Sequence, residues 1–216
     1  MKRIRVLLAD DHAILRSGLR LLLEREPDME VAGEASDGRG AADWIERHPA
    51  EAVVMDVGMP GLNGIEAAAR IAASNSGIRI VMLSMHSDEA YVLRALKAGA
   101  HAYVLKESAE GELIAAIRAV IAGRSYFSPK VAALLRQEHI EKIRRSGDVD
   151  PYDLLTARER EILQLLGEGN SNKEISARLF LSIFTVETHR KHIHEKLNLH
   201  SPAELVLYCV RRGIIQ

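Results

Sequence analysis

The chain has 216 residues and a formal net charge of -1, with 47% hydrophobic, 27% charged and only 4% aromatic residues. These proportions fit ordinary folded domains, and the length allows one domain or two. They exclude a strongly basic nucleic-acid coat, a strongly acidic disordered chain and a large aromatic-lined pocket.

The first run, Ile4–Ala9, is apolar and ends in Asp10 and Asp11. It is too short for a signal peptide or a membrane span, so a cytoplasmic protein without a membrane anchor is expected. Further β-prone runs follow at Glu30–Ala35, Ala52–Met55, Ile78–Ser84 and Ala102–Leu105, separated by stretches with helical spacing such as Ala13–Glu24 and Ile65–Ala73. Five strands alternating with helices predict an α/β domain, a doubly wound parallel sheet covered on both faces and therefore wholly buried.

The polar residues that interrupt this pattern fall at the C-terminal ends of strands: Asp10 and Asp11, Asp56, Ser84 and Lys106. Ligands of open doubly wound sheets bind beyond those ends, so four distant segments are expected to converge on one site. Three carboxylates held together repel one another, and a hard cation such as Mg²⁺ relieves the repulsion while leaving room for water and phosphate. A nearby lysine and a serine hydroxyl can meet phosphoryl oxygens, which is the equipment for in-line phosphoryl transfer with one carboxylate as nucleophile. His12 and His86 lie close in sequence, but imidazole is a poorer partner for Mg²⁺ and both are left out of the ligand set. His101 is expected to cap or pack.

A helix over Glu110–Ala122 ends at Gly123, and the Gly/Ser/Pro content of GRSYFSP marks a domain exit near residue 125. Residues 126–150 are expected to be a partly helical linker with a mobile second half. After Pro151 come four helix-start patterns: Thr156 with Glu159, Ser171 with Glu174, Ser182, and Ser201 with Pro202 and Glu204. In each, a side-chain oxygen satisfies a free backbone N–H at a helix start, so residues 151–216 are expected to form an all-α bundle of four short helices.

Within that bundle Asn172–Leu179, a turn at Phe180 to Ser182, and Ile183–Leu197 have the lengths of a helix-turn-helix with its recognition helix last. At about 100° per residue, Val186, Arg190, Ile193 and Leu197 share the inward face. Opposite lie Phe184, Thr188, Lys191 and Glu195, flanked by Glu187 and His192. Thr188, Lys191 and Glu187 are the candidates for base contact, and Asn172, Lys173 and Thr185 for the neighbouring backbone. Residues 129–216 carry 14 Lys+Arg against 12 Asp+Glu, and residues 1–128 carry 15 against 18. That asymmetry permits DNA binding at the C-terminal end without requiring it. The single cysteine, Cys209, excludes an internal disulfide and is expected to pack.

Asp56-Val57-Gly58-Met59-Pro60-Gly61-Leu62-Asn63-Gly64 has the form DxxMPxxxG. Together with ADDH at Ala9 to His12, Ser84, AGA at Ala98 to Ala100 and YVLK at Tyr103 to Lys106, it resembles the receiver domain of two-component response regulators. LTARERE, EGNSNKEISARLFLS, TVETHRKHIHEKL and SPAEL, in that order, resemble the LuxR-type helix-turn-helix, and the pair is similar to the NarL/FixJ class. The resemblance implies a flavodoxin-like sheet of order 2-1-3-4-5 and Asp56 as phosphoacceptor. It implies Mg²⁺ on Asp11, Asp56 and the Gly58 carbonyl, with Asp10 assisting through water. It further implies Lys106 on phosphate and a switch made of Ser84 and Tyr103. Phosphorylation adds about 1.5–2 negative charges, drawing Ser84 and its loop inward while Tyr103 rotates into the space vacated.

The expected partners are a sensor histidine kinase and double-stranded promoter DNA. Because one recognition helix offers few contacts, a homodimer is expected as well, with the last helix as a candidate interface. Ile183 and Phe184 stand where the family often carries lysine or another polar residue; Phe184 either packs against a thymine methyl or lies against the domain. Two other readings use the same residues: a Mg²⁺-dependent phosphohydrolase with an aspartyl-phosphate intermediate, and an adaptor whose C-terminal bundle binds protein through Phe184.

Overall fold

The computed structural model describes residues 3–74, 77–142 and 151–215. The chain divides into two compact units, Met1–Lys142 and Ile143–Gln216. Among the described residues no helix is long and apolar enough to cross a membrane.

In the first unit, strands β1 (Ile4–Ala9), β2 (Met29–Ala35), β3 (Ala52–Asp56), β4 (Arg79–Ser84) and β5 (Ala102–Leu105) alternate with helices α1 (Ala13–Glu24), α2 (Gly38–Arg47), α3 (Gly64–Ser74), α4 (Glu89–Lys97) and α5 (Ala109–Ile121). The central strands are buried on both faces, as their unbroken apolar runs require. Leu7, Val53, Met55, Ile80, Met82 and Tyr103 join one core cluster, whereas Val6, Leu8, Val54, Val81, Leu83 and Val104 join the other. This is the period-two division expected of a sheet. β2 departs from the wholly buried expectation: as an edge strand it is mostly half-exposed.

The sheet has six strands where five were expected, in the order β2-β1-β3-β4-β5-β6. The additional strand, β6 (Tyr126–Phe127), pairs in parallel with Ala102 and Tyr103. Two residues carry no legible periodicity, so their β character came from the neighbour they pair with. Helix α6 (Pro129–Lys142) follows, and Val131 is fully buried in the first core. The linker expected over residues 126–150 therefore begins inside the first unit, and its second part, 143–150, lies outside the described residues.

Parallel register lines up the strand ends. Ala9 sits opposite Met55, Asp56 opposite Leu83, and Ser84 opposite Leu105. The next residues in chain order, Asp10 and Lys106, thus emerge along one edge with Asp56 and Ser84.

The second unit holds α7 (Ala157–Gly167), α8 (Asn172–Leu179), α9 (Ile183–Leu197) and α10 (Pro202–Arg211). Thr156 and Ser171 each make a complete capping box, with Glu159 and Glu174 respectively. The Ser182 and Ser201 hydroxyls accept from the Thr185 and Glu204 amides. Glu204 instead reaches back to the amide of His200. Ile162, Leu163, Ile175, Val186, Ile193, Leu205 and Cys209 fill the core. Burial pushes the Cys209 thiol up to about 12, so it is a packing residue and not a reactive one.

Candidate phosphoacceptor site and nucleic-acid interface

The register of β1, β3, β4 and β5 carries Asp10, Asp56, Ser84 and Lys106 to one edge of the sheet. Asp10 and Asp56 are each only 2% exposed. Lys106 Nζ stands 3.0 Å from Asp10 Oδ2 and 2.8 Å from Asp56 Oδ2. Burial raises the Asp56 carboxyl above its ordinary range; the Lys106 ammonium opposes the rise and the Asp10 charge adds to it. For Lys106, burial opposes the charged form, yet the two carboxylates outweigh it and hold the ammonium charged.

Asp11 is exposed at the rim. Ligand atoms of Asp10, Asp11, His12 and Asp56 all lie within 4.8 Å of one another. Three carboxylates packed this closely with a single ammonium are an oxygen-rich, electron-rich donor set, which fits a hard divalent cation. The Gly58 amide donates to Asp56 Oδ1 over 3.3 Å. His12, set aside at the level of sequence, enters the cluster: its amide donates to Asp10 Oδ1 over 2.8 Å, and its Nδ1 lies 2.8 Å from Asp11 and 3.2 Å from Asp10. As the N-cap of α1 it is carried to the acidic edge by that helix. His86 instead stacks on Tyr91, and His101 Nδ1 accepts from the Ile80 amide.

The glycine ending the DxxMPxxxG run has a steric reason. A methyl group on Gly64 would run into the Asp56 carbonyl oxygen, so only glycine lets α3 start this close behind the acidic residue. Gly64 N also donates to the Val57 carbonyl over 3.0 Å, closing the loop that carries Gly58.

Ser84 is fully buried, and its hydroxyl accepts from the His86 amide over 3.0 Å. The Tyr103 ring is fully buried, and its hydroxyl donates to the His86 carbonyl over 2.8 Å. Burial raises the phenol's pKa, so it remains a donor. The two expected switch residues thus hold the same peptide segment from its two sides. Sequence reasoning also missed Ser128, which is 1% exposed, accepts from the Leu105 amide over 3.2 Å and donates to Glu112 over 2.5 Å. Its only signal was the Ser-Pro pair, read as a domain exit.

On α9 the inward face is as expected, with Val186 and Ile193 at 0% and Leu197 at 8% exposure, and Arg190 half-buried. Glu159, 3% exposed, accepts from Lys196 Nζ over 2.7 Å and ties α7 to α9. Burial works against its charge, but Lys196 and the Thr156 cap outweigh burial and leave its pKa lowered. Glu187, Thr188 and Lys191 are all exposed. Lys191 Nζ lies 3.8 Å from Glu195, and the Thr188 hydroxyl donates to the Phe184 carbonyl over 2.9 Å. On the flank, Lys173 is exposed, the buried Asn172 Oδ1 has no hydrogen-bond partner among the described residues, and Thr185 shares a 2.8 Å hydroxyl contact with Ser182. Phe184 does not lie against the domain: it is 78% exposed.

Residues 6–118 match the model of the response regulator receiver domain, and residues 153–209 match that of bacterial regulatory proteins of the luxR family. The chain is 38% identical over 215 residues to the oxygen regulatory protein NreC of Staphylococcus carnosus, covering 98% of this chain and 99% of that protein. Among solved structures, a LuxR-family two-component response regulator from Aurantimonas is 40% identical with a TM-score of 0.62, over 64% of this chain and 99% of its own. The response regulator RcsB in its DNA complex is 27% identical with a TM-score of 0.60, over 97% of this chain and 98% of its own.

Proposed function

The chain belongs to the response regulators that join a receiver domain to a LuxR-family DNA-binding domain, and from that premise we propose that Asp56 is the phosphoacceptor governing DNA binding by the second unit. The protein is a DNA-binding transcription regulator of a two-component system. The observation that carries the reading is the ammonium of Lys106 set between the two buried carboxylates of Asp10 and Asp56.

The transfer is an in-line displacement from the phosphohistidine of a sensor histidine kinase. An Asp56 Oδ forms the new P–O bond as the P–N bond breaks, and the electron pair returns to the kinase imidazole. Lys106 neutralises charge on the phosphoryl oxygens. A divalent cation such as Mg²⁺ on Asp10, Asp11, Asp56 and the Gly58 carbonyl would supply the remaining positive charge. His12 orients Asp10 and Asp11 toward that position.

The added group draws on the Ser84 hydroxyl, which is bonded to the amide of His86, the residue whose carbonyl holds Tyr103. Ser84 and Tyr103 both bond to His86, so a displacement of Ser84 toward the phosphoryl group would be felt at the Tyr103 hydroxyl. In the second unit Lys191, Thr188 and Glu187 face the bases, while Lys173, Asn172 and Thr185 hold the backbone. Two copies act on paired half-sites, and Val206, Leu207 and Val210 of α10, 41%, 47% and 51% exposed, are the pairing surface. The test is covalent labelling by a small phosphodonor with Mg²⁺: label on Asp56 in the wild-type chain and none in Asp56→Asn is the expected result, and label persisting at another residue contradicts it.

A further inference from the structure

Phe184 is the second residue of α9, two places after the N-cap Ser182. The N-terminal residues of a recognition helix are the ones that reach base edges. At about 100° per residue it falls on the same stripe as Thr188 and Lys191, opposite the buried Val186, Ile193 and Leu197. With 78% of its surface exposed, its ring contributes nothing to the core of its own unit. Ile183 beside it is 46% exposed.

Hydrogen bonding leaves this end of the stripe poor in donors. The benzyl group has none, and Thr188 commits its one hydroxyl hydrogen to the Phe184 carbonyl. A donor-poor surface cannot pair with guanine O6 and N7, which call for arginine or lysine. Nor does an uncharged ring hold phosphate. The feature of the major groove that an aromatic ring does recognise is the C5-methyl group of thymine, the one apolar group on a base edge. With 11 basic against 10 acidic residues over 143–216, the second unit has little net charge to supply sequence-independent affinity. Contacts of this kind would therefore set a large share of the site preference.

We propose that Phe184 is a specificity-determining residue that packs against thymine C5-methyl groups in the major groove, so that this chain selects half-sites with thymine at one or two fixed positions. The proposal rests on α9 being the DNA-reading helix. It commits the exposed apolar end of α9 to duplex DNA in preference to a protein partner, because that end is continuous with the exposed polar stripe carrying Thr188 and Lys191.

The test uses the full-length, phosphodonor-treated protein and a duplex recovered from random DNA. Each thymine is replaced in turn by deoxyuridine, which lacks only the methyl group. Burying one methyl-sized group is worth about 0.8 kcal/mol, or about fourfold in affinity. The wild-type chain is expected to lose about fourfold at one or two positions per half-site. In Phe184→Ala the same replacements should cost nothing, while the salt dependence of binding stays unchanged because no charge has moved. Phe184→Lys should lose the methyl sensitivity and steepen the salt dependence by about one phosphate contact. Salt-dependent binding with no thymine sensitive to its methyl, or with the same sensitivity in Phe184→Ala, overturns the proposal and leaves α9 as the DNA-reading helix. Failure to recover or bind any duplex overturns both.

Discussion

The two functional regions are built on opposite plans. The proposed phosphoacceptor site is charge-dense and assembled from four strand ends far apart in sequence; Asp10 and Asp56 are each 2% exposed and share one ammonium. The proposed recognition face is exposed and lies on one helix, α9, whose inward stripe packs into the core. In the first region each group is fixed by its neighbours, so removing one disturbs the rest. In the second the side chains are nearly independent, and each gains meaning only from what it meets.

That contrast orders the expected effects of substitution. Asp56→Asn should abolish phosphodonor labelling outright, read by mass spectrometry of the intact chain. Lys106→Ala leaves two buried carboxylates uncompensated and should destabilise the first unit by about 3–5 kcal/mol at neutral pH. The loss should shrink as acid protonates the Asp56 carboxyl, whose pKa burial raises, and should be partly recovered by Mg²⁺, both read by thermal melting. A wild-type-like melt in Lys106→Ala would break the coupled picture of the site.

On the recognition helix the effects should be smaller and separable. Lys191→Ala should cost about 1–3 kcal/mol of DNA affinity if it reads a base, or reduce the salt slope by about one if it holds a phosphate, with no change in melting. Glu159→Gln should cost the second unit about 1 kcal/mol at neutral pH through its lost ion pair with Lys196. The folded-state pKa of Glu159 is lowered, so its contribution is complete above the unfolded value near 4.5 and disappears as pH falls through the folded value. The difference in melting between wild type and Glu159→Gln should therefore begin to close as pH falls below the unfolded value near 4.5.

The same contrast explains what was legible in the sequence. Five strand runs, four caps and the inward face of α9 could be read because each has a period or a local partner. Convergence of Asp10, Asp56, Ser84 and Lys106 followed from topology, since parallel strands must end on one side. The two-residue strand Tyr126–Phe127 could not be read, because its β character comes from pairing with β5. His12 was passed over on ligand preference, although its backbone position at the start of α1 decides its place in the cluster. The partner of the buried Tyr103 hydroxyl is the His86 carbonyl, a group from another segment that no side-chain pattern announces. Phe184 could be placed on the outer face by spacing, but only its exposure excluded packing against its own domain.

The most direct measurement is a titration of the full-length wild-type and Asp56→Asn chains against one selected duplex at fixed salt, each with and without phosphodonor. A coupling of ordinary allosteric size predicts that phosphodonor changes wild-type affinity by about fivefold or more and leaves Asp56→Asn unchanged. An equal response in both chains, or none in the labelled wild type, would contradict control of DNA binding through Asp56.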